Sequence, residues 1–397
     1  MKVASAARRV LFGIGLCILA LATGGAMRIV QDTCGPFTDV TPGFCPYVLE
    51  LYYLGITVGT SATTFSPDQS LTRGQAAVFI SKGLTQSLAR SSRRAALGQW
   101  WTTTPHWDLG LGITQVDNDP EGLAADGQDI WVANEPSWTV SRVRASDGKL
   151  IGTWTSARGA SAVLVAMGRI FVSGLDSPSG WLYMIDPTLD PGPVMTAASG
   201  LPPSPVSLAF DGSRIWTANL EGSVSIITPA PTLPWPVTTV TAGFQRPVGT
   251  VFDGSNVWVT DVAAGTLLKL DSAGSILQTV NLGQVAFMVF DGANIWVPLN
   301  GSDSVAVVQA STGAVLATLT GNGLFGPSAV AFDGLRILVV NHGHVRPDPQ
   351  SISLFRAADL SSLGSVPTPG VGIFGACSDG VNFWLTDESA PGKLARF

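Results

Sequence analysis

Charge is scarce in this chain. Of 397 residues, 13% are Asp, Glu, Lys or Arg, and the formal net charge is −6. Binding nucleic acid by displacing counterions needs clustered Lys and Arg, so nucleic acid is not an expected partner. The one basic cluster, Arg90, Arg93 and Arg94, lies in a polar stretch and reads as a solvated linker. Histidine occurs three times, which leaves little for a histidine-built metal centre. No Gly-x-Ser-x-Gly elbow, His-Glu-x-x-His helix or phosphate loop is present, which removes the common hydrolase, zinc-protease and nucleotide signatures. What the chain does have is apolar content, at 46%, enough for a large core. Its solubility must rest on Gly, Ser, Thr and Asn.

The four cysteines are placed unevenly. Cys17 falls within an apolar run, Val10 to Leu21, that follows Lys2, Arg8 and Arg9 and precedes Gly24-Gly25-Ala26. That order reads as an export signal over residues 1–26; a retained anchor helix is the alternative, and the run stays short of spanning length. Cleavage would remove three cations and no acid, taking the charge to −9. Export permits disulfides, and a Cys34–Cys45 bond would close a short loop worth roughly 3 kcal/mol. Cys377 sits in an apolar strand and reads as a small buried hydrophobe.

From residue 125 onward a phrase recurs. Full copies are Phe210-Asp211-Gly212-Ser213-Arg214-Ile215-Trp216, Phe252 to Trp258 and Phe290 to Trp296; looser copies end at Trp131, Phe171, Leu338 and Trp384. Their glycines stand at 127, 168, 212, 254, 292, 334 and 380, giving steps of 41, 44, 42, 38, 42 and 46. Strand-like content with a period near forty predicts a propeller, and seven copies predict seven blades. Each repeat reads as four strands with an Asp-Gly turn after the first. Arg169 and Arg336 fall in these turns and are expected to face solvent. The last repeat stops at a third strand, and Trp107 to Val116 is expected to supply the fourth, closing the ring. The repeats resemble the YVTN/NHL-type propellers and, more loosely, the virginiamycin B lyase-like group, over residues 105–397. The expected class is all-β, a seven-bladed β-propeller with a small α-helical N-terminal module.

That module departs from the rhythm. Pro46 opens a predicted helix through Leu54, and Gly55 stops it. A second helix opens at Thr72, with Gln75 three residues on as a capping-box partner. Ala76, Phe79, Ile80 and Leu84 fall on one face. Phe37-Thr38-Asp39-Val40, Leu54-Gly55-Ile56-Thr57-Val58-Gly59, Phe65-Ser66-Pro67 and Leu71-Thr72-Arg73-Gly74-Gln75-Ala76 together resemble a single S-layer homology motif. The resemblance implies attachment to cell-wall glycopolymer, with Asp39 and Arg73 as glycan-site residues and the Arg73 guanidinium meeting a carboxylate. The expected layout is a signal at 1–26, an S-layer homology-like module at 35–85, a linker carrying Trp100-Trp101 at 86–104, and the propeller at 105–397.

Function is less legible. Loops after the Trp strands should gather around the channel, bringing Asn134, Glu135, Asn219, Glu221, Asp261, Asn341, Asp387 and Glu388 to one face, although turn chemistry is the first account of the Asn and Asp among them. His342 and His344 would face one way on an extended strand and could hold a metal only with help from Glu388 or Asp261. Asp117, Asp119 and Glu121 share one loop, read as a Pro-containing turn or a weak calcium site. No cofactor is expected. The chain reads as an exported envelope protein whose propeller is an interaction platform for protein or glycan ligands. Cell-wall glycopolymer and surface proteins are the expected partners, with membrane contact only through an uncleaved signal. The alternative is a secreted metal-dependent lyase or hydrolase with its site on the propeller axis.

Overall fold

A computed structural model describes residues 34–90 and 112–397, apart from 42, 54–55, 346–347, 349, 369–371 and 389. The export signal, Gly55, His106, Trp100-Trp101 and Trp107 therefore lie outside the described residues. The chain divides into two compact units, residues 1–111 and 112–397.

In the first unit, helix α1 (Cys45–Tyr53) starts where Pro46 occupies a position whose missing N–H is no loss. Its apolar face closes over Phe37, which meets Tyr52 and Phe65 edge-on at 5.3 and 5.7 Å. Cys34 and Cys45 are disulfide-bonded beside this small core, their Cα atoms 5.4 Å apart. Helix α2 (Arg73–Arg90) opens on the reciprocal cap: the Thr72 amide donates to Gln75 Oε1 at 2.9 Å and the Gln75 amide to Thr72 Oγ1 at 3.2 Å. Two expectations change. The helix continues past 85 to Arg90, because Gln86 to Arg90 holds no Gly or Pro to stop it. Ile80 is 65% exposed, and the half-buried stripe is Ala76, Phe79 and Gly83, which keeps the i, i+3, i+7 spacing.

The second unit is a ring of seven four-stranded antiparallel sheets. The first strands are Pro120–Ala125, Ala160–Ala166, Pro205–Phe210, Pro247–Phe252, Val289–Phe290, Pro327–Phe332 and Ile373–Ser378, for blades 1 to 7. Blade 7 has three strands from the chain's end, and its fourth is Ile113–Gln115, pairing Ile113 with Ala395, Thr114 with Leu394 and Gln115 with Lys393. The expected closure is therefore present in its described part.

The recurring phrase is a hydrogen-bonding device. In blade 4, Asp253 Oδ1 accepts the amides of Ser255 and Asn256 at 2.8 and 2.7 Å, while Oδ2 accepts the Trp258 indole N–H at 2.7 Å. Gly254, at φ 93°, lets the chain reverse between them. Asp126, Asp211, Asp291 and Asp379 hold Trp131, Trp216, Trp296 and Trp384 in the same way. Each indole is fully buried and packs on the second strand of the next blade. Trp131 lies on Ile170 and Val172, Trp258 on Ile295 and Val297, and Trp384 on Ile130 and Val132. Such burial stabilises by on the order of 2–3 kcal/mol per side chain.

Blades 2 and 6 depart together in sequence and contact. Blade 2 has Phe171, which offers no N–H, and Met167 replaces the aspartate. Blade 6 keeps Asp333 but has Leu338 for tryptophan, and the vacant carboxylate oxygen accepts Arg336 Nε at 2.6 Å. Arg336 is thus 3% exposed, against the expectation that it faces solvent, and lies 5.1 Å over the Phe383 ring. Arg169 stays half-exposed beside Asp186 at 3.1 Å.

Candidate functional site

The axis is lined by the beginnings of the first strands. In blades 1, 2, 3, 4, 6 and 7 the pairing register breaks just after the first residue, Pro in four of them. A bulge at this point re-aims the following side chains. Close inter-blade approach needs glycine here: a Cβ on Gly122 would strike the Ser161 carbonyl, and one on Gly375 the Glu121 carbonyl. The result is a cavity of about 420 Å³ whose wall includes Glu121, Ser161, Val206, Phe287, Ala329 and Phe374.

Glu121 is the one carboxylate on that wall, among the described residues, and no Lys or Arg is on it. Burial pushes its carboxyl up, the Ser161 hydroxyl bonded to it pulls the other way, and the charges of Glu135, Glu388 and Asp119 push it further, to about 7. Its backbone is fixed by the Thr386 hydroxyl, which donates to the Glu121 carbonyl at 2.8 Å across the ring seam. Phe287 and Phe374, from blades 5 and 7, meet edge-to-face at 6.0 Å. In the sequence Glu121 stands out only as part of an acidic turn. The signal that singles it out is positional: after the opening proline, blades 3, 4 and 6 carry Val206, Val248 and Ser328, and blade 1 carries an acid.

The residues expected to crown the channel are placed differently. Asn134, Asn219, Asp261, Asn341 and Asp387 end the second strands and are buried. Asn219 Nδ2 donates to Ser223 and Ser225 Oγ at 3.1 and 2.9 Å, and Asn341 Nδ2 to Ser351 and Ser353 at 3.0 and 2.8 Å. Asn134 Nδ2 reaches Thr139 and Ser141 alike. These amides clip second strands to third. Asp261 accepts the amides of Gln245, Arg246 and Ala264. Glu135 and Glu388 stand in the loops beyond and act on Glu121 through their charge, while Glu221 is exposed.

His342 and His344 do not share an extended strand, because Gly343 between them turns at φ 78°. His344 Nε2 lies 2.9 Å from Asp303 of blade 5 and its ring meets Phe325 edge-on at 4.7 Å, while Gln350 Nε2 donates to the His342 carbonyl at 3.3 Å. Asp117 Oδ2 is taken by the Thr139 hydroxyl at 2.6 Å. Among the described residues no three His, Cys, Asp or Glu side chains gather as metal ligands would. Cys377 pairs with Trp384 in the sheet and packs, partly buried, against the cluster around that indole, where burial pushes its thiol up.

In the helical unit, Asp39 accepts the Phe65 and Ser66 amides at 2.8 and 2.7 Å, which lower its carboxyl against a smaller desolvation. It thereby ties the Phe65-Ser66-Pro67 loop in place. Arg73, at the start of α2, is exposed, and its guanidinium has no partner among the described residues.

Residues 36–77 match the S-layer homology domain family. They are an S-layer homology domain. An endoglucanase of Bacillus sp. (strain KSM-635) is 49% identical over 51 residues, 12% of this chain, and the match spans 5% of that protein's length. The propeller resembles solved structures at low identity. The streptogramin B lyase structure has TM-score 0.57 and 13% identity over 72% of this chain and 97% of that one. Kuenenia stuttgartiensis hydrazine synthase gives 0.57 and 16%, with the same coverage. The WD40 propeller domain of Doa1 gives 0.57 and 12%, covering 72% and 94%. These likenesses show the fold alone. The S-layer homology domain indicates a cell-surface or envelope protein, and no helix among the described residues is long and apolar enough to cross a membrane.

Proposed function

We propose that this is a non-catalytic protein of the cell envelope, held to wall glycopolymer by its S-layer homology domain and presenting the propeller as an interaction platform. The observation that carries the first half is the division of labour between Asp39 and Arg73. The aspartate is occupied by two loop amides and the arginine is exposed without a partner among the described residues. A guanidinium in that state suits a carboxylate-bearing glycan, whose acid it pairs in a planar fork. Asp39 then acts by holding the loop rather than by touching the sugar. The second half is supported by how the polar groups are engaged: Asp261 is taken by three amides, His344 faces Asp303, and among the described residues Glu121 has no second titratable side chain beside it on the cavity wall.

The test is sedimentation with purified cell walls. The secreted protein should pellet with them and Arg73→Ala should stay in the supernatant, with the propeller's melting temperature unchanged. Retention of the variant as firm as wild type would end the glycan reading. For the enzymatic alternative the check is elemental analysis; about one tightly held metal per chain, lost in His342→Ala, would replace the platform with a metal-dependent lyase.

A further inference from the structure

We propose that the axial cavity is a binding site for an organic ammonium ion with an apolar or aromatic body, the cationic head placed against Glu121 and the body against Phe287 and Phe374. This rests on the platform reading above and names its ligand class. The cavity, at about 420 Å³, is in the range that takes a small molecule or one long basic side chain. Its wall is almost wholly Gly, Ala, Val, Leu, Met and Phe, so an apolar body is favoured there. Ser207 is on the wall too, but its hydroxyl is engaged with Thr250 at 2.9 Å. That leaves Glu121 as the group that orients a ligand by charge, and among the described residues no cation on the wall competes for it. Phe287 and Phe374 both line the cavity and meet edge-to-face, so an aromatic body finds aromatic partners there.

The surrounding charges favour the same ligand. Asp119 precedes the strand, Glu135 follows the second strand of blade 1, and Glu388 follows that of blade 7; all three repel the Glu121 carboxylate and would attract a cation at the cavity. On the flanking strands Ser161, Phe374 and Gly375 carry no charge. Arg158, in the loop leading to blade 2, is held by Asp176 at 3.1 Å and lies over Trp138. An anion would be excluded by this arrangement, and a neutral ligand would gain nothing from the acids. Because the empty carboxyl titrates near 7, a cation binds its ionised form and releases the proton to solvent. Affinity should therefore be highest above pH 7 and fall as pH drops, by about 100-fold between pH 8 and pH 5.

The experiment uses the full chain and three matched probes: 4-phenylbutylamine, 4-phenylbutanol and 4-phenylbutyrate, titrated calorimetrically at pH 8 and pH 5. The amine should bind at pH 8 at least about tenfold tighter than the alcohol, the acid should not bind, and Glu121→Gln should remove the preference for the amine. That variant keeps a hydrogen-bond partner for Ser161, and an unchanged melting temperature verifies its fold. Phe374→Leu should weaken amine and alcohol alike. Equal binding of amine and alcohol, an amine preference that survives Glu121→Gln, or no binding of any probe would overturn the proposal. Chemical conversion of the amine that is lost in Glu121→Gln would support the site and overturn the non-catalytic reading. Failure of Arg73→Ala to release the protein from walls bears on attachment alone.

Discussion

Five blades hold a tryptophan against an aspartate, and two do not. Blades 2 and 6 show what the pairing is for. In blade 2 the indole N–H is gone and so is the acid; in blade 6 the acid remains and a buried arginine has taken the donor's place. An apolar role for the ring alone would leave the acid indifferent to these changes. The fold instead tracks donor and acceptor as one unit, because a carboxylate oxygen withdrawn from water needs a proton donor.

The comparison can be broken most severely in blade 6. Arg336→Met leaves Asp333 buried and unpaired and should cost about 3–5 kcal/mol in chemical denaturation. Adding Asp333→Asn, which keeps the turn amides capped without the charge, should recover at least half of that loss. In blade 4, Trp258→Phe keeps the ring but orphans Asp253 Oδ2, with an expected cost of about 1–3 kcal/mol. If that variant proves as stable as wild type, the indole N–H is not what the acid is for. A subtler test uses acid. Burial alone would push the Asp211 carboxyl up, yet the Trp216 indole and the Arg214 and Ser213 amides pull it down to about 2. Its folded value lies below the unfolded one, so its contribution is complete above about pH 4 and lost as pH falls through 2. The stability gap between wild type and Asp211→Asn should therefore narrow over that window. Arg73→Ala should change stability least, since nothing among the described residues leans on that guanidinium.

The ring was legible because its unit is local. Asp, Gly and Trp lie within five residues of each other, so one repeat displays turn, cap and packing at once. The closing strand could be anticipated from the unfinished last repeat. The burial of Arg336 is not legible locally, because the ring that covers it, Phe383, comes from the next blade. The site was harder still. Asn134, Asn219 and Asn341 look like mouth residues in sequence, and only the Ser-x-Ser or Thr-x-Ser pattern of the next strand shows them clipping the sheet. Glu121 is invisible as a motif, since its neighbours around the axis come from blades up to 265 residues away along the chain.

The seam in blade 7 has a mechanical consequence. Residues 1–111 join the ring at Gly112, directly before the three-residue strand that closes it. If the first unit is held to the wall and the propeller to a ligand, as proposed, a pull between them enters through that strand. Three residue pairs, the Thr114 hydroxyl on the Gly148 carbonyl at 2.6 Å, the Arg396 amide on the Gly112 carbonyl at 2.7 Å and the Val116 amide on the Gly392 carbonyl at 3.0 Å are among the bonds between the load and an open circle. The clasp of the ring is also the point where the chain enters it, so under tension the first blade to give way is the one made from both ends of the unit.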